Sequence, residues 1–298
     1  MDLVEINNIK YGFVKDYKDD DSLRTSFNQL TQSIFHFSLE NWYQSGNWKS
    51  YYIPYSLTYQ DEVVSNVSIN RLSFSIDQSI MTGIQIGTVM THENFRNKGL
   101  NQFLLEQILT EWKEQCDFIY LFANDTVLDF YPKFNFVKTE EYQASKMITP
   151  SPADAAMKKL NTETEEDAAL LLQTIEKSKP ISRIAMLNNP SLIMFYCTSF
   201  MKDLVYYVEK FKSIVLVHFE GETMHLLDVF SEEHIDLESL IEAIADENIH
   251  QVVLGFTPLK DNNYEKNKVT GADTLFILKG QNTFMDGRKW MFPELSHA

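Results

Sequence analysis

The sequence predicts an α/β chain of two successive lobes, each built of strands interleaved with helices. Three observations predict it. The length, 298 residues, exceeds what one domain of ordinary size holds. Segments with strand-like alternation are interspersed with segments of helical spacing. The element order of the first half recurs in coarse outline after a break over 148–154 that carries Pro150 and Pro152. With 44% hydrophobic residues and only 10 Gly and 8 Pro, the chain can bury a core, which excludes a disordered or fibrous class.

Taken in order, Phe27, Leu30, Ile34 and Phe37 recur at helical spacing within 22–42, so one or two short helices open the first half. Residues 51–59 and 63–76 are rich in Tyr, Val, Ile and Ser around a turn at Asp61 and Glu62, the pattern of an antiparallel hairpin. A third strand at 82–91 runs into the polar segment HENFRNKGLN. A helix follows, on which Leu104, Leu105, Ile108, Leu109, Trp112 and Cys116 share a face. The apolar run 117–123 has strand length and the composition of a strand buried on both faces. A short helix around 126–131 and a strand around 136–139 close this half.

Beyond the break, 165–177 is helical and Asn189-Pro190 opens a short helix. Strands begin at 204–209, and 212–219 and 223–230 flank Glu220-Gly221 as a hairpin. A helix over 236–245 and strands at 251–256 and 273–279 complete the chain. This divides the protein into domains at 1–147 and 155–298 and suggests duplication of one fold.

The formal net charge of -16 argues against a nucleic-acid binder, because such binding draws most of its affinity from neutralised phosphates. Cationic small molecules or basic peptides suit the charge better, although an acidic balance also serves plain solubility. Two cysteines, Cys116 and Cys197, lie far apart in segments that read as buried, so neither a disulfide framework nor a zinc site is suggested. The seven histidines show no ligand spacing, and His218 and His225, beside the hairpin turn, read as surface residues, so no metal is assigned. The first residues are charged, and no run approaches the roughly 20 apolar residues of a membrane span. The expectation is a cytoplasmic protein with no membrane partner.

The chemistry concentrates where the strand ending at Val89, Met90 and Thr91 passes through Arg96, Asn97, Lys98 and Gly99 into the helix that starts near Leu100 and Asn101. Such a junction points a row of backbone N–H groups, at the positive end of a helix, toward any bound pyrophosphate. Gly99 removes a Cβ from the approach, and Arg96 and Lys98 add positive charge. A Gly-containing loop before a helix is common, and alone it is most often a turn.

Its surroundings change that reading. The segment resembles motif A of the GNAT superfamily of N-acetyltransferases through Arg96, Gly99 and Asn101, the last standing where the family has a small residue. A second resemblance runs through ANDTVLDFYPKFNF, residues 123–136, in Asn124, Phe130, Tyr131, Lys133 and Phe136, with Asn135 where Gly is usual. The resemblance covers about residues 20–145 and extends in outline to a two-domain, tandem-GNAT-like bacterial member. It implies a mixed, mostly antiparallel twisted sheet flanked by helices, followed by a degenerate GNAT-like domain.

For function, the resemblance implies transfer of an acetyl group from acetyl-CoA to a primary amine of a small molecule or peptide, by direct attack in a ternary complex. Backbone groups of Val89, Met90 and Thr91 then hold the pantetheine arm, and residues 96–101 hold the pyrophosphate. Tyr131, a phenol with an ordinary pKa of about 10, donates a proton to the departing thiolate. Asn124 either bonds the pantetheine or a water, or simply forms the turn that ends its strand. No general base stands out; ordered water, Glu93, or a C-terminal tail ending in His297 and the Ala298 carboxylate are the alternatives. Trp42, Trp48, Tyr52 and Tyr55 either border the acceptor or belong to the core.

The second half has no matching loop, and Glu232 and Glu233 stand where they repel a pyrophosphate. That half is expected to wall the acceptor pocket or to mediate assembly into a homo-oligomer. A reading from another class is a non-catalytic acyl-CoA-binding regulator or scaffold.

Overall fold

The computed structural model describes residues 1–187, 189–271 and 273–297. An N-terminal hairpin, β1 (Asp2–Ile6) and β2 (Ile9–Lys15), turns at Asn7 and Asn8. Both have positive φ, 51° and 63°, which a short amide side chain tolerates better than most. These two strands lie outside the elements expected from sequence, although β2 pairs with β3 (Tyr52–Tyr59) and buries Tyr11 and Val14. Helix α1 (Asp21–Phe35) begins where the Asp20 carboxylate accepts from the N–H groups of Ser22 and Leu23, and α2 (Glu40–Gln44) follows.

A long antiparallel meander comes next: β3 (Tyr52–Tyr59), β4 (Glu62–Ile76) and β5 (Ser79–Thr91). Helix α3 (Leu100–Trp112) then carries the chain over to β6 (Phe118–Ala123), which is parallel to β5. The segment expected as a short helix is two 3-10 turns, at Asp125–Val127 and Tyr131–Phe134, ahead of β7 (Phe136–Lys138).

The later elements are β8 (Tyr142–Met147), β9 (Met157–Lys159), α4 (Glu165–Lys177), β10 (Ile184–Leu187), α5 (Pro190–Thr198) and β11 (Val205–Val208). After them come β12 (Ser213–Glu220), β13 (Thr223–Ser231), α6 (Leu237–Ile244), β14 (Gln251–Leu254), β15 (Glu265–Lys268) and β16 (Thr274–Leu278).

A nine-stranded sheet runs β1-β2-β3-β4-β5-β6-β16-β7, with β10 paired to β4, and a seven-stranded sheet runs β15-β8-β14-β13-β12-β11-β9. Their connectivities match. In each, antiparallel strands lead through one helix, α3 or α6, to a single parallel junction, β5/β6 or β13/β14. The next strand is then donated antiparallel by the other half: β16 enters the first sheet, β8 the second. A register shift falls at the same place in both meanders, between Asn66 and Ser68 and between Leu216 and Val217.

The segment 148–154 therefore joins two interleaved halves. A strand that precedes it belongs to the second sheet, and a strand that follows it belongs to the first. The core reflects this. One cluster packs α3 through Leu104, Leu105 and Ile108 against Ile84, Ile86, Ile119 and Leu121. A second joins Phe74, Phe118 and Tyr120 of the first sheet to Leu216 and Phe230 of the second through Phe292. Each such fully buried side chain contributes about 1.5–3 kcal/mol, so the shared cluster binds the halves strongly.

Candidate active site

Strands β5 and β6 pair only from Gly83 with Phe118 to Ile86 with Leu121. Past that point pairing stops, leaving residues 87–91 of β5 facing Phe122 and Ala123 of β6 across a gap within the sheet. A bulge sets the gap. Thr88 has φ 47°, a conformation β-branched residues rarely adopt, and a buried polar network holds it there.

In that network the Asn66 amide donates to the Thr88 carbonyl at 2.8 Å, and the Tyr52 hydroxyl donates to the Thr88 hydroxyl at 2.8 Å. Ser56 donates to Asn66 at 2.8 Å, and Tyr17 lies 2.6 Å from Ser56. The His92 N–H and the Met90 carbonyl are both turned toward β4, bonding Val64 and the Ser65 hydroxyl. By strand alternation the N–H and C=O of Val89 and Thr91 face the gap. Met90 instead buries its side chain, with its sulfur against Thr31.

The loop from β5 to α3 supplies the positive end. Asn97 and Gly99 are left-handed, φ 61° and 77°, and Gly99 precedes α3 with no side-chain cap. The N–H groups of the first turn are thus not taken by a neighbouring carboxylate or hydroxyl. A Cβ on Gly99 meets nothing within 4 Å, so φ, not crowding, calls for glycine there, and the space beside the helix end is open.

Arg96 is exposed, with Nε 3.3 Å from the Thr91 carbonyl, and Lys98 donates to the Asn94 carbonyl at 2.8 Å and lies over the Phe95 ring. The N-terminal hairpin braces this loop through Asn7, which donates to the Lys98 carbonyl at 3.0 Å. Asn101 turns inward. Its Oδ1 accepts from Ser65 at 2.6 Å and from Thr91 at 2.9 Å, which draws the side chain away from the helix end and ties the first turn of α3 to the gap.

Tyr131 is 4% exposed, among Phe130, Phe136 and Phe276, the last on the donated strand β16. Burial pushes its phenol up to about 12, so it is protonated at neutral pH. Asn135, at the position where glycine is usual, has φ 65° and ends the 3-10 turn as a glycine does. Asn124 is exposed, and its Oδ1 accepts from the Thr126 N–H and hydroxyl at 3.0 and 2.5 Å. It thus caps the turn after β6, which leaves its amide N–H groups pointing elsewhere.

The aromatics Trp42, Trp48, Tyr52 and Tyr55 are core residues. Trp42 stacks on Trp48 at 5.6 Å and donates to the Ser191 carbonyl, joining the halves, while Tyr55 accepts from Trp112 at 2.8 Å. Glu93 is exposed on a 3-10 turn. The tail packs between the sheets. His297 stacks on Phe122 at 3.8 Å, its carbonyl accepts from Tyr196, and the Ser296 carbonyl accepts from Tyr120 at 3.0 Å. Burial lowers the His297 imidazole to about 4, so it is neutral, and its Nε2 has no partner among the described residues. The Ala298 carboxylate lies outside the described residues.

The corresponding place in the second half is closed. Strands β13 and β14 pair from Thr223 with Gln251 to Leu226 with Leu254, and past that register Glu294 of the tail donates to the Gly255 carbonyl at 2.9 Å. A Cβ on Gly255 meets Leu227 backbone at 2.7 Å, so tail and strands are in close contact. Helix α6 is capped by the Asp236 carboxylate, with Glu238 in its first turn. Glu232 pairs with Lys177, so Asp236 rather than Glu232 or Glu233 occupies this helix end.

No local signal in the sequence announces Ser65 as the partner of Asn101, Phe276 as the neighbour of Tyr131, or Phe122 as the seat of His297. Each is a contact between segments distant in the chain.

A parted pair of parallel strands, a bulge and an uncapped helix end thus lie together where β5 leads into α3. Residues 21–138 match the family described as Acetyltransferase (GNAT) domain. No curated protein matches the sequence.

Among solved structures, a probable N-acyltransferase from Enterococcus faecalis is similar at 11% identity and a TM-score of 0.56, over 90% of this chain and 72% of that one. A GCN5-related N-acetyltransferase from Kribbella flavida is similar at 14% and 0.54, over 90% and 71%. Another from Anabaena variabilis is similar at 12% and 0.56, over 89% and 72%. Since these likenesses span 89–90% of this chain, they extend the shared fold across both halves. No helix among the described residues is long and apolar enough to cross a membrane.

Proposed function

We propose that the protein is an acetyl-CoA-dependent N-acetyltransferase of the cytoplasm, acting on a primary amine of a small molecule or peptide by direct attack in a ternary complex. The observation that carries this reading is the gap between β5 and β6 beside the uncapped end of α3. The helix end, with Gly99, Leu100 and Asn101, offers N–H groups to a pyrophosphate, and Asn97, Lys98 and Arg96 surround it. From there a pantetheine arm enters the gap and pairs as an extra strand with the edge of Val89 and Thr91, displacing Arg96 from the Thr91 carbonyl, while the fixed N–H groups polarise the thioester carbonyl.

Tyr131 supplies the proton to the leaving thiolate, a role its retained proton suits. His297 is a neutral acceptor beside Phe122. An imidazole at about 4 is a weak base, so it suits aligning the amine better than storing its proton. The net charge of -16 favours cationic acceptors. The tail and Asp236 account for one donor site per chain.

Calorimetry with coenzyme A, followed by thiol release from acetyl-CoA with polyamines, amino acids, aminoglycosides and short peptides, tests this. The expected result is one binding event per chain, lost in Gly99→Glu, and amine-dependent release. No heat with coenzyme A, and a Gly99→Glu variant that behaves like the parent, overturns it. The enclosure of Tyr131 favours a second reading, an acyl-CoA-binding protein without turnover, which binding without release for every amine would support.

A further inference from the structure

The β12/β13 hairpin carries a cluster that its sequence spacing does not announce. His218 and His225 are directly opposed across the two strands, and their rings are stacked with centroids 4.5 Å apart and planes within 1° of parallel. Both are half-buried, not the surface residues expected from their place beside a turn. The Nδ1 of His218 is buried and without a hydrogen-bond partner among the described residues. Glu220, two residues along the same strand face, brings a carboxylate oxygen 3.8 Å from Nε2 of His225. One ligand atom from each of the three lies within 4.8 Å of the others.

Two imidazoles stacked face to face oppose a shared positive charge. Two imidazoles and a carboxylate are the donor set that borderline divalent ions prefer, whereas Ca²⁺ and Mg²⁺ seek oxygen alone. Tetrahedral bonds of about 2.0–2.1 Å need the donor atoms drawn together by roughly an ångström. An imidazole ligates within its own ring plane, so the two half-buried rings must turn out of their parallel stack, and the exposed Glu220 side chain must rotate inward, for the three atoms to meet.

We propose that His218, Glu220 and His225 form a three-ligand site for a divalent transition-metal ion of the Zn²⁺ type, with the fourth position open to water. Bound there, the ion cross-links β12 to β13 and adds its binding free energy to the stability of the second half.

The test uses the untagged full chain, stripped of metal, titrated with Zn²⁺ against a chromogenic chelator and with Co²⁺ for its visible spectrum. One ion per chain is expected, with a Co²⁺ absorption of four-coordinate strength and a rise in Tm on adding Zn²⁺. Losing an outer-shell partner weakens metal sites by roughly 10–100-fold, so His218→Ala and His225→Gln, which remove ligands, should each weaken Zn²⁺ by about a hundredfold or more. Glu220→Gln, at a solvated position, should weaken it less and leave the fold intact. Circular dichroism verifies that each variant is folded. Binding of Zn²⁺ with the same affinity in the parent and in His225→Gln and Glu220→Gln, or no binding by the parent, overturns the proposal.

Discussion

At the scale of single residues, burial decides what the ionisable groups do. Tyr131 keeps its proton because its surroundings are aromatic, and a phenol pushed up to about 12 gives no alkaline fall in rate below about pH 10. If it supplies the proton, Tyr131→Phe should lower kcat by about a hundredfold or more and leave the dissociation constant for coenzyme A within about threefold. Stopped-flow thiol release and calorimetry measure the two separately. An unchanged kcat would assign the ring to packing alone.

Glu141 shows the same physics without a catalytic role. It is 6% exposed, accepts from the Phe292 N–H at 2.9 Å, and is raised by burial to about 8 from 4.5. Between those values the folded state holds a proton that the unfolded chain has lost, so stability falls as pH rises from about 4.5 to about 8 and levels off above. Glu141→Gln keeps the acceptor and removes the charge. Thermal melts from pH 5 to 8.5 should show a shallower decline in Tm for this variant, with the largest gain at the alkaline end. In the sequence Glu141 follows another glutamate and precedes a tyrosine, with no local sign of burial, whereas in the fold the tail brings the Phe292 N–H to its carboxylate.

Among elements, those legible from sequence are the ones whose signal is local. The β3–β4 pair, α3, α4 and the β12/β13 hairpin carry their own periodicity, caps and turns, and they stand where that pattern puts them. The junction of β5 with α3 was legible for the same reason, since strand, glycine and helix are contiguous. What periodicity lacks is partner information. The apolar run that became β16 reads as a strand, yet nothing within it says that it pairs with β6 and β7, more than 100 residues away. Short strands such as β9, β10 and β15 have too few residues to show a period at all.

Strand β16 accordingly ties the site to the second half through Phe276, which packs on Tyr131 at 5.9 Å. Phe276→Ala should cost about 3–5 kcal/mol of stability by denaturant titration, the usual range for a buried phenylalanine. It should also lower turnover at temperatures where the variant stays folded, because the phenol loses a wall. A loss below about 1 kcal/mol would mean that the neighbouring strands close over the gap.

For the whole molecule, the reciprocal exchange of β16 and β8 makes the first 147 residues an incomplete folding unit, although they hold every residue of the acetyltransferase family match. Cut there, β6 and β7 lose the strand between them and present unpaired apolar edges. At the same time β8 is left without β14 and β15, and Phe118 and Tyr120 lose Phe292. The segment 1–147 expressed alone should therefore aggregate or show poorly dispersed amide resonances, with no cooperative thermal transition. Co-expression with 148–298 should restore both dispersion and coenzyme A binding, because the missing strands are then supplied in trans. A fragment 1–147 that melts cooperatively and binds coenzyme A with the parent's affinity would show that β16 is dispensable to the first sheet. The interleaving would then be an attachment between two independent units and not the basis of their fold.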